Sequence, residues 1–226
     1  MEVPRCMLAI AGHFPGAGYA DVRFGEDAPK TGTDANLGRL PVLEHDGKVI
    51  GQSAAINYFV ASVTGLLGSS TAEAAQIIAF GEHIKELKDA YRALVPYGTE
   101  PKPEAITAFF EDATASDFTG AADGSKRKHR NLLWFLGRME HLVGDGFAVG
   151  NKISLADVLL FNALADTLTD KDVKGEVPVY NREPFGSLAR TNAVLAKHPK
   201  LAKIVHAVAA HPNIVKWMAT RGQQEF

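Results

Sequence analysis

With 226 residues, the chain has room for one large domain or two smaller ones, against about 100 to 200 residues for a typical single domain. Its 24 Lys and Arg nearly balance 26 Asp and Glu, and the net charge of -2 favours neither nucleic acid nor an acidic membrane surface as a partner. One cysteine, Cys6, cannot close an internal disulfide, and no apolar run approaches the roughly 18 residues of a membrane-spanning helix, which predicts a reducing, cytoplasmic setting.

The apolar stretch Cys6 to Ala11 ends in small residues, as a signal peptide would. Glu2 cancels Arg5 in front of it, however, and Arg23 and Glu26 soon restore a soluble pattern, so an amphipathic helix is expected instead. Val3, Met7, Leu8, Ile10 and Ala11 line one face of that helix, Gly12 to Gly18 interrupts it, and Ala20 to Phe24 alternates as a short strand would. Pro41 to His45 and Lys48 to Ile50 are β-prone runs flanking Asp46-Gly47, a preferred pair for the type I′ turn of a tight hairpin. Ser53 then stands as an N-cap before Ala54, Ala55, Ile56, Tyr58, Phe59 and Val60, and Gly65 stops the helix.

Beyond Thr71 nearly everything reads as helix. Ile77, Phe80, Ile84, Leu87, Tyr91, Leu94 and Val95 recur by threes and fours in one long amphipathic helix, which Pro96 to Pro103 ends. Ile106, Phe109 and Phe110 predict a further helix before a break at Gly120 to Gly124. Leu132, Phe135, Leu136, Met139, Leu142 and Val143 form the next stripe, behind the basic run Lys126 to Arg130, which reads as a solvated helix start. Ser154-Leu-Ala-Asp157 has capping-box spacing, with Ile153 and Val158 as a staple, and opens a helix too apolar for a surface position. Residues 174 to 187 read as loop, followed by helical patterns at Leu188 to Lys197, Leu201 to Ala210 and Pro212 to Thr220. The change of pattern near Gly65 to Thr71 predicts an α/β domain over residues 1–65 and an all-helical domain over 71–226.

No phosphate-binding loop, nucleophile elbow, H-E-x-x-H or C-x-x-C occurs, and the eight histidines are not interleaved with carboxylates as metal ligands would be, so no metal site is expected. The first turn of the helix after Ser53 lacks an acidic or amide partner at the third position, where Ile56 stands. Its amide groups and the helix dipole are therefore suited to an anion, with Gln52 beside them. Service as a plain N-cap is the competing role for Ser53.

The stretch Gly38-Arg-Leu-Pro-Val-Leu-Glu-His-Asp-Gly-Lys-Val-Ile-Gly-Gln-Ser-Ala-Ala-Ile-Asn-Tyr58 resembles the thioredoxin-like domain of the cytosolic glutathione transferases. Phe147 to Asp157, His198-Pro-Lys-Leu201 and Ala209 to Trp217 resemble that family's helical domain, and most of all its sigma class. The resemblance implies glutathione as co-substrate, a hydrophobic electrophile as second substrate and a homodimer. It also implies a cis Leu40-Pro41 peptide that leaves the Leu40 backbone free for the cysteinyl unit. Gly38, Arg39, Leu40, Pro41, Gln52 and Ser53 would hold the tripeptide, with Arg39 at the glycyl carboxylate, and Asp89 would reach across the dimer to the α-amino group.

In this alignment Glu2 to Gly12 matches the family's first helix, so the family's first strand and the Tyr, Ser or Cys that follows it are expected to be missing. No catalytic residue is carried over. Cys6 falls inside the helix and is expected to be buried packing, Tyr19 lies in a Gly-rich insertion, and Lys30 is the nearest basic residue ahead of Arg39. The expected fold is a truncated α/β thioredoxin-like domain followed by an all-α domain. The expected activity is glutathione conjugation, the alternatives being a catalytically impaired binding or structural protein and a glutathione-dependent isomerase.

Overall fold

The computed structural model describes residues 2–23, 32–96, 98–112 and 130–223. Helix α1 (Glu2–Ile10) buries Val3, Cys6, Met7 and Ala9. It ends where Gly12 adopts φ 88, with His13 N–H bonded to the Leu8 carbonyl and Gly12 N–H to that of Ala9. This glycine-closed ending satisfies carbonyls that the last turn would otherwise leave open.

The chain then makes two short strands, β1 (Phe14–Pro15) and β2 (Gly18–Tyr19), paired in parallel. The strand expected from Ala20 does not form over residues 20–23, and Phe24 lies outside the described residues. Asp21 instead accepts from Arg5 at 2.8 Å and from Arg23 at 2.9 Å, so ion pairing rather than alternation sets the path here.

Strands β3 (Val42–His45) and β4 (Lys48–Gly51) form the antiparallel hairpin, with Val42 opposite Gly51 and His45 opposite Lys48. Asp46 (φ 50) and Gly47 (φ 72) both take the positive φ that a type I′ turn requires. Helix α2 (Ser53–Val63) follows directly and packs against α1 through Ile56, Val60 and Ala61.

Helix α3 (Thr71–Leu94) is capped by Ser70, whose side chain accepts from Glu73 N–H, while the Glu73 carboxylate returns to Ser69 N–H at 2.6 Å. It buries the expected stripe from Ile77 to Tyr91. Helices α4 (Pro103–Glu111), α5 (Leu132–Leu142), α6 (Leu155–Leu164), α7 (Leu188–Leu195), α8 (Pro199–Ala209) and α9 (Pro212–Thr220) complete the α-helices of the described residues, with short 3-10 turns between α6 and α7. Leu142 departs from its expected place in the α5 stripe: it is 62% exposed at the helix end, and Val143 fills the core position instead. The proposed break at 120–124 and residues 126–129 of the basic run lie outside the described residues. Arg130, which closes that run, pairs with Glu86 at 2.8 Å and covers Trp134, in keeping with a solvated helix start.

Helix α6 is the central element, packed by α3, α8 and α1 and buried along nearly its whole length. Asp157 at its start accepts from Ser154 N–H (2.8 Å), Ser154 Oγ (2.6 Å) and Ala148 N–H (2.8 Å). Burial pushes its carboxyl above the ordinary range, and these hydrogen bonds oppose that rise. The structural role expected of the Ser154–Asp157 pair is thereby filled. Leu155 N–H donates to the Leu66 carbonyl, and one continuous apolar core runs from Val3 through Ile56 and Ile84 to Trp217.

Candidate functional site

The hairpin register creates the site. Because Val42 faces Gly51, the residues just before β3 and just after β4 emerge at the same end, bringing Leu40-Pro41 alongside Gln52-Ser53. Leu40-Pro41 is cis, as expected, and Leu40 is 48% exposed. Among the described residues, neither its N–H nor its C=O joins a main-chain hydrogen bond. An edge that offers one free donor and one free acceptor can take an extended peptide by strand-like pairing.

Ahead of it, a 3-10 turn (Thr33–Asn36) leads into Leu37 and Gly38, both with positive φ. Gly38 N–H donates to the Thr33 carbonyl, and Arg39 N–H and Nε both donate to the Asn36 carbonyl at 3.1 and 3.3 Å. The guanidinium is thus tethered at one nitrogen, and Arg39 as a residue is exposed.

The start of α2 needs one correction. Gln52, not Ser53, is the N-cap; Ser53 is the first helical residue, and Ile56 N–H bonds to the Gln52 carbonyl. The chain turns so sharply out of β4 that Gln52 sits at φ 66 and ψ 126, a conformation few non-glycine residues adopt. No side chain caps the turn and no acidic residue lies in it, so the leading amides keep no partner within the helix and the positive end of its dipole stays exposed. Gln52 and Ser53 are both exposed. Arg39, the Leu40 main chain, Gln52 and Ser53 together offer cationic or N–H groups at the two ends of a short edge, the complement of an extended peptide carrying two carboxylates.

Asp89 is not part of this cluster within the chain. It lies on α3, 62% exposed, with its carboxylate on Lys85 of the same helix. Lys30 lies outside the described residues. Cys6 is fully buried, and desolvation raises its thiol well above the ordinary range, which excludes it as a ready nucleophile. Tyr19 has its hydroxyl buried with no hydrogen-bond partner among the described residues; desolvation and the Asp21 charge push it up to about 12. No group of three or more His, Cys, Asp or Glu suited to a metal occurs among the described residues.

Two features escaped the sequence reading. Asn36, placed in a polar turn, is buried, and its Nδ2 donates to the Pro41 carbonyl at 3.0 Å. Arg221 is buried among Asp166 (2.7 Å), Asp172 (3.1 Å) and Glu2 (3.3 Å), and Glu2 also accepts from Trp217 Nε1. The helix pattern around Trp217 hinted at docking, but nothing local in the sequence pairs residue 221 with residue 2.

Comparison with known proteins is consistent with this geometry. The family model described as "Glutathione S-transferase, N-terminal domain" matches residues 4–62, and "Glutathione S-transferase, C-terminal domain" matches residues 105–221, more than half of the chain. Glutathione S-transferase 1 of Ascaris suum is 27% identical over 220 residues, covering 95% of this chain and 89% of the relative. Glutathione S-transferase alpha-1 of Rattus norvegicus is 26% identical over 228 residues, covering 100% and 86%. The crystal structure of a nematode-specific transferase from Caenorhabditis elegans aligns at a TM-score of 0.61 and 25% identity, over 100% of this chain and 93% of that one. The chain belongs to the glutathione S-transferase family, with its thioredoxin-like N-terminal domain followed by a helical C-terminal domain.

Proposed function

We propose that the protein is a glutathione transferase, of sigma-like type, that conjugates glutathione to hydrophobic electrophiles. The observation that carries this reading is the open Leu40 main chain lying level with the uncapped start of α2. Glutathione docks as an added β-segment: its cysteinyl unit pairs with Leu40, its γ-glutamyl carboxylate meets the Gln52–Ser53 amides, and its glycyl carboxylate meets Arg39. Gly38 and Pro41 shape the edge.

In the reaction the thiolate sulfur forms a bond to the electrophilic carbon, the leaving group departs with the electron pair of its own bond, and the thiol proton passes to solvent. A thiol at its ordinary pKa of about 8.5 is only a few per cent ionised at neutral pH, and this reading assigns no residue of the chain to lowering it. The protein's contribution is then positioning.

The reading further includes a cytoplasmic homodimer in which Asp89 serves the partner's glutathione, with the chain divided into domains at residues 65 and 71. Titration calorimetry with glutathione tests the central claim: saturable binding is expected, and an absence of heat and of retention on immobilised glutathione would overturn it. Initial rates with an aryl halide then separate a conjugating enzyme from a binding protein of the same fold.

A further inference from the structure

Three segments meet beneath the proposed glutathione edge, and one residue, through its side chain and its main chain, joins them. Asn36 is 4% exposed. Its side-chain Nδ2 donates to the carbonyl of Pro41, one residue after the open Leu40, while its main-chain carbonyl receives both Arg39 N–H and Arg39 Nε. From below, β4 presses against it: a Cβ on Gly51 would lie 2.7 Å from Asn36 Cβ and 2.5 Å from the Ala35 carbonyl oxygen. Asn36 therefore touches, through bonds or packing, the residues adjoining Leu40, the cation of the edge, and the strand leading into Gln52.

Its remaining polar atom is unusual. Among the described residues, Asn36 Oδ1 is buried and has no hydrogen-bond partner. An unpaired buried acceptor works against stability, and an apolar residue of similar size would avoid it. The amide is explained by the donor it supplies: Nδ2 fixes the Pro41 carbonyl and so anchors the chain immediately after the open Leu40.

We infer that the Asn36 side chain is a positioning element for peptide-thiol binding, holding the Leu40-Pro41 edge in the geometry that receives glutathione. The inference rests on the glutathione reading above and extends it to a residue that touches no ligand.

The test compares wild type, Asn36→Ala and Asn36→Asp by titration calorimetry with glutathione, alongside steady-state kinetics. Loss of one neutral hydrogen bond that orients the edge predicts about five- to tenfold weaker binding for Asn36→Ala. The defect should lie in KM for glutathione, with kcat at saturating glutathione and KM for the electrophile within about twofold of wild type. Asn36→Asp keeps the shape but offers Pro41 a carboxylate, so it should bind at least as poorly near pH 7. Its carboxyl regains a donor on protonation, so its affinity relative to wild type should recover as the pH falls toward about 5. That recovery is not expected of a side chain that only fills space, and it is readable even if the alanine variant fails to fold. Wild-type affinity in both variants would overturn the inference while leaving the glutathione reading standing. Failure of wild type to bind glutathione would overturn both.

Discussion

Gln52 carries the backbone strain of the site. Holding a non-glycine residue at φ 66 costs about 1 to 3 kcal/mol, and the surrounding hairpin and helix must over-determine it. What the strain secures is a helix that begins at once after a strand, with its first amides facing outward beside Leu40. Replacing Gln52 and Ser53 together by alanine removes the side-chain donors and leaves the helix dipole. Glutathione affinity should then fall by about tenfold, equivalent to about 1.4 kcal/mol, as read by calorimetry, with the thermal midpoint little changed because both residues are exposed. Cys6 makes the opposite case. Fully buried, and with its thiol pushed up by desolvation, it should react with an aromatic disulfide reagent only as fast as the protein unfolds. Rapid stoichiometric labelling of the native chain would show that α1 is not packed as described.

At the scale of elements, what was legible in the sequence was what local chemistry determines. Asp46-Gly47 specified the hairpin because few other pairs accept two positive φ values in succession. The mostly apolar sequence after Ser154, with Val158 to Phe161 in one run, specified a central helix, because no surface position would tolerate it. The N-cap was misplaced by one residue, since Ser53 has the better intrinsic preference and only the hairpin's exit angle forces Gln52 into that role. Ala20 to Arg23 alternates like a strand, yet its Asp21 belongs to Arg5 and Arg23. Asn36 was invisible for a related reason: a polar residue in a turn is ordinarily solvated, and only the folded hairpin closes over it. Helix α6 yields a prediction at this scale. Leu160→Ala empties a fully buried position in this helix and should cost about 2 to 5 kcal/mol in urea unfolding. A change below about 1 kcal/mol would mean that α6 is not the packed centre.

The whole molecule is joined end to end by charge. Arg221 beyond α9 reaches Glu2 of α1 and Asp166 and Asp172 of the helical part, while Arg23 donates to the carbonyls of Gly222 and Gln223 at 2.7 Å. Asp166 and Asp172 are shifted in opposite directions. Asp172 is held well below the usual range: burial raises it, but its bonds from Arg221, Thr169 and Lys171 prevail. Asp21 is likewise lowered, its burial outweighed by Arg5 and Arg23. Their stabilisation is present above the unfolded value of about 3.9 and is lost as the pH falls toward their folded values, because the unfolded chain then binds protons that the folded one refuses. Asp166 is raised, burial outweighing Arg221, so its contribution runs the other way and grows as the pH falls through its folded value toward about 3.9. Urea unfolding across this range should therefore show Asp172→Asn flattening the acid loss, and Asp166→Asn shifting its onset to higher pH. Identical profiles for the two variants would contradict the assignment of charges around Arg221.

The sequestered sulfur of α1 has a practical corollary. The sequence contains no other cysteine, so a thiol introduced at a surface position such as Leu37, 82% exposed on the turn before Arg39, would be the one group available to a thiol-reactive dye. A fluorophore attached there would report occupancy of the neighbouring edge without background from the native chain, and it would do so even in the absence of turnover.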